Sequence, residues 1–75
     1  MLAQDITMVH DTQETIEYIQ VLIEAYKGIL TDAKMVEDMA KVFAITKQLE
    51  LLEKNLAKEY AKQEKAYHNL LVMYL

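Results

Sequence analysis

The 75 residues contain no cysteine, no proline, no tryptophan, no serine and no arginine, and glycine occurs once. Each absence excludes something. Without cysteine there is no disulfide framework and no thiolate metal site, which agrees with a reducing compartment and gives a cytoplasmic location as the expectation. Without serine or cysteine the usual activated nucleophiles are missing, and Gly28 alone cannot form a phosphate-cradling loop. All eight basic residues are lysine, against twelve acids, and the net charge is −4. A nucleic-acid partner, whose phosphates favour a basic surface with arginine forks, is therefore not expected.

Long hydrophobic runs are also missing. The densest, Leu70 to Leu75, falls far short of the ~20 apolar residues that cross a bilayer, so no membrane span is expected. The segment Met1 to His10 has neither a basic start nor a long apolar stretch, and it does not read as a secretory leader.

What remains is the composition of a helical protein: 53% hydrophobic residues, with alanine, leucine, lysine, glutamate, glutamine and methionine plentiful and nothing that breaks a helix. At this length a single core supplies only a few kcal/mol unless disulfides, a metal or oligomerisation assist. Oligomerisation is the aid still open.

Asp11 with Glu14 three residues on has the form of a capping box, and Ile16, Ile19, Leu22, Ile23, Tyr26, Ile29 and Leu30 follow at three- and four-residue steps. The pattern predicts helix A over residues 12 to 29. Leu2, Ile6 and Val9 share the spacing, so an earlier start near Asp5 is the alternative, with Asp11 and Thr12 on its polar face. Gly28, Thr31 and Asp32 place a glycine stop and a fresh cap close together, which predicts a turn over residues 29 to 32.

From Asp32 an apolar stripe runs on through Met35, Met39, Val42, Phe43, Ile45, Leu49, Leu52, Leu56, Tyr60, Tyr67, Leu70 and Tyr74, predicting helix B over residues 32 to 74. Within it Val42, Leu49, Leu56, Gln63 and Leu70 step by seven, as do Tyr60, Tyr67 and Tyr74. The expected fold is all-α: a single domain, an antiparallel hairpin with a long second helix, assembling as a homodimeric four-helix bundle. A break near Asn55, closing a three-helix bundle, is the alternative.

Residues 1 to 40 carry eight acids and two lysines, residues 41 to 75 four acids and six lysines. Folded at residues 29 to 32, facing residues have numbers adding to about 61, which brings Glu14 near Lys47 and Asp11 near Lys54. The same rule leaves everything beyond about residue 60 unpaired, an apolar overhang of the kind that marks an interface. Leu56, Tyr60, Tyr67, Leu70, Leu71, Met73 and Tyr74 are the candidate interface residues, and the partner is a second copy or another protein's amphipathic helix.

Other groups read more plainly. His10 and His68 have acids nearby but lack the paired spacing of metal-binding helices, so neither is assigned a ligand role and no cofactor is expected. Met35 and Met39, beside Phe43, read as core, and the acids Glu14, Glu17 and Glu24 as a solvated face. The function expected is non-enzymatic: a small helical adaptor, chaperone or regulator, with a purely structural homodimer as the alternative.

Overall fold

A computed structural model of the chain describes the backbone of residues 2–74 and the side chains of residues 6–73. Helix α1 runs over Leu2–Met35 and helix α2 over Met39–Tyr74, and they lie antiparallel as a hairpin. The molecule measures 56 × 15 × 14 Å. Its length is that of one helix, since 36 residues at ~1.5 Å each span about 54 Å.

Both helices present a three-and-four stripe to each other. On α1 it is Val9, Thr12, Ile16, Ile19, Ile23, Tyr26, Leu30 and Ala33; on α2 it is Val42, Ile45, Leu49, Leu52, Leu56, Glu59, Gln63, Ala66 and Leu70, all buried or half-buried. This is the spacing of a coiled-coil seam. Ile19, Ile23, Ile45 and Leu49 form its centre, with Tyr26, Leu30, Leu52 and Leu56 packed against them. The seven-residue step from Val42 to Leu70 is thus the face that meets α1.

The turn lies six residues beyond its expected place. Val36, Glu37 and Asp38 make it, and Gly28 sits inside α1 with open space around it. Glu37 takes a left-handed conformation, φ 56°. Its N–H bonds the Lys34 carbonyl at 3.2 Å and the Asp38 N–H bonds the Ala33 carbonyl at 3.0 Å, which closes α1 with a Schellman motif. The Asp38 carboxylate then accepts from the Lys41 N–H at 3.2 Å and caps α2.

The energetics explain the choice. A left-handed glutamate and a mid-helix glycine each cost about 1 kcal/mol. Turning at residues 29 to 32 would instead take Leu30 and Ala33 out of the seam and strand the end of α2, forfeiting several kcal/mol of burial at ~1.5 to 3 kcal/mol for each large apolar side chain. Two helices of 34 and 36 residues match, so the expected overhang is absent. Asp11 is not a helix start either: its carbonyl accepts from the Thr15 hydroxyl within α1. Thr12, expected on a polar face, is buried, its hydroxyl 2.7 Å from the Met8 carbonyl. Asn55 lies within the unbroken α2, so no third helix forms.

The register follows. Seam partners have numbers adding to about 75, two heptads away from the ~61 of the sequence estimate, so the same faces meet at a different offset. Two polar links cross between the helices at this offset. Gln63 Nε2 donates to Gln13 Oε1 at 2.9 Å, and Gln20 Nε2 donates to the Tyr60 hydroxyl at 2.9 Å. The expected Glu14–Lys47 and Asp11–Lys54 pairs are not made. Among the described residues the lysine ion pairs, Lys27 with Glu24 and Lys62 with Glu59, lie within one helix.

Candidate interaction surface

Two helices can bury only one stripe each, and this sequence has more apolar residues than two stripes hold. The accessible surface is 5829 Å². A compact monomer of 8.7 kDa exposes about 4,700 Å², so the hairpin has about 1,100 Å² in excess. Much of what it exposes is large and hydrophobic, and most of these side chains fall into three zones.

The first flanks the seam on the side of the Gln20–Tyr60 link. Tyr60, Tyr67 and Leu71 share this flank of α2 at steps of seven and four residues, with Leu71 62% exposed. Ala61, Glu64, Lys65 and His68 join Tyr67 and Leu71 around a shallow open depression. Further along, Gln20, Glu24, Lys27 and Glu53 line a second one over Ile23 and Leu56. The second zone, on the opposite flank, holds Tyr18, the half-buried Leu22, Ile29, Leu51 and Val72. The third is the hairpin tip.

At the tip Met35 is 78% exposed, Met39 69% and Phe43 66%, so these residues are not the core the sequence suggested. The reason is geometric: they lie beside the turn, outside the three-and-four stripe. Phe43 is partly covered by the Lys47 ammonium, 5.3 Å from its ring centre. Such a contact contributes about 0.5 to 1 kcal/mol at an exposed site.

The candidate interface residues separate accordingly. Leu56 packs against the hairpin's own centre and Leu70 is half-buried on the seam, so both serve the intramolecular contact first. Tyr60, Tyr67, Leu71 and Met73 are exposed. The Tyr74 side chain lies outside the described residues. Tyr18, one of five tyrosines whose helical spacing suits the margin of a core or an interface, is exposed. Sequence reasoning missed Val21 and Leu51, because a wide apolar stripe does not say which of its edges the partner helix covers.

His10, Asp11 and Glu14 have ligand atoms within 4.8 Å of one another, and all three are exposed. His10 stands 3.8 Å from Asp11 and 3.7 Å from Glu14 on a solvated helix face. No helix among the described residues is long and apolar enough to cross a membrane. No family model, curated protein or solved structure matches the chain significantly. Geometry and composition therefore carry the functional argument.

Proposed function

We propose that the protein is a non-enzymatic, cytoplasmic interaction module that acts by packing an amphipathic helix of another chain, or a second copy of itself, against the exposed flanks of the hairpin. The excess surface carries this reading. About 1,100 Å² exceeds the ~800 Å² that one partner contributes to a standard protein interface. Large apolar side chains, tyrosine and leucine among them, are part of what the hairpin exposes, at helical spacing. Tyrosine suits such a contact because its ring is large and rigid while its hydroxyl can stay wet.

A purely structural homodimer is the second reading, favoured by a hairpin whose core is one seam wide. Sedimentation equilibrium with an apolar dye separates the outcomes. A dye-binding monomer supports an adaptor for other proteins, and a dimer that binds no dye supports the structural role. A stable monomer without dye binding would sink both.

A further inference from the structure

We infer that the flank opposite the Gln20–Tyr60 link is a self-recognition face: two copies pair through it, α1 of each lying antiparallel on α2 of its partner, to give a four-helix bundle. This rests on the reading, common to both proposals above, that the exposed flanks are contact surfaces, and it names the occupant of one of them. Charge and register identify that occupant.

Helix α1 carries six acids and two lysines, net −4, while α2 carries four acids and six lysines, net +2. Two hairpins can meet face to face in two closed ways, by a two-fold axis along the helices or across them. The axis across the helices stacks α1 on α1, setting −4 against −4. The axis along them stacks α1 on α2, setting −4 against +2. Like charges facing each other oppose the first arrangement and opposite charges favour the second.

The register makes the match local. In the second arrangement a residue of α1 lies level with residues of the partner's α2 whose numbers complete a sum of about 75, as in the hairpin itself. Asp11 then lies level with Lys62 and Lys65, and Asp32 with Lys41. Between these charged ends Leu22 and Ile29 lie level with Leu51 and Ala44. The apolar side chains thus lie between the charged ends, with Gln48, Asn55 and Lys58 among them on the α2 side. The tyrosine flank matches less well, since there Glu24 lies level with Glu50 and Glu53, with Lys27 already paired to Glu24.

Sedimentation equilibrium on the full chain tests this, with Leu51→Lys, Tyr67→Lys and the charge-reversed pair Asp11→Lys and Lys65→Glu as variants. All these side chains are exposed in the hairpin, so circular dichroism should report unchanged helix content. Wild type should be a dimer, and Leu51→Lys should raise its dissociation constant at least tenfold while Tyr67→Lys leaves it within twofold. Asp11→Lys and Lys65→Glu should each weaken the dimer, and their combination should restore it. A wild-type monomer that binds apolar dye would overturn the inference and leave the interaction-module reading standing. A dimer broken by Tyr67→Lys and indifferent to Leu51→Lys would overturn it as well, by placing the contact on the other flank.

Discussion

Glu37 occupies the left-handed position that glycine usually fills where a helix ends this way, and the one glycine of the chain is nine residues earlier, in a helix interior. Both sites should therefore be improvable. Glu37→Gly removes the left-handed strain and should stabilise the hairpin by about 1 kcal/mol, a rise of ~4 to 8 °C in the thermal midpoint. Gly28→Ala adds a Cβ into open space and should stabilise by about 0.5 to 1 kcal/mol, read from the same melts. Asp38→Ala should lose about 1 kcal/mol with the cap of α2. These residues also explain where the sequence misled. Gly28, Thr31 and Asp32 have the chemistry of a stop and a start, but local preferences of about 1 kcal/mol yield to the burial of Leu30 and Ala33.

At the scale of the helices, one seam supports everything. Ile16 is its most buried large side chain, and Ile16→Ala should cost about 2 to 5 kcal/mol by urea unfolding, whereas the neighbouring Tyr18→Ala should change the hairpin's own stability by no more than about 0.5 kcal/mol. The same melts performed on dimer-free material would show the contrast. Gln63 interrupts the seam with a polar group whose partner, Gln13, is on the other helix. Buried polar residues at such positions set register at some expense in stability. Gln63→Leu should raise the thermal midpoint and let the helices slip, which double electron resonance between labels on α1 and α2 would record as a broader distance distribution. A single sharp distance would show that the apolar seam alone fixes the offset. The seven-residue step from Val42 to Leu70 was legible in the sequence. Its offset against α1 was not, because a shift by two heptads brings the same faces together and leaves the acidic half beside the lysine-rich half.

For the whole molecule, a Cα radius of gyration of 16.9 Å belongs to a rod one helix long. Pairing two such rods side by side would double the mass with little change in length. Small-angle scattering should accordingly give a forward intensity twice that of the 8.7 kDa chain and a maximum dimension still near that of one hairpin; a maximum dimension near twice the hairpin's length would indicate end-to-end association through the methionines of the tip instead. The tip, the two flanks and the seam divide an apolar fraction of 53% among more faces than one hairpin can bury.

The sequence by itself determined that the chain is helical, that the seven-residue step from Val42 to Leu70 lies on one face of the second helix and that the two halves differ in sign of charge. It favoured a single fold-back over a break near Asn55. Periodicity and composition carry that information locally, residue by residue. Only the tertiary structure decided where the chain turns, which offset the helices adopt and hence which apolar residues stay outside. Those depend on the summed burial along both helices, and no short stretch of sequence contains that sum.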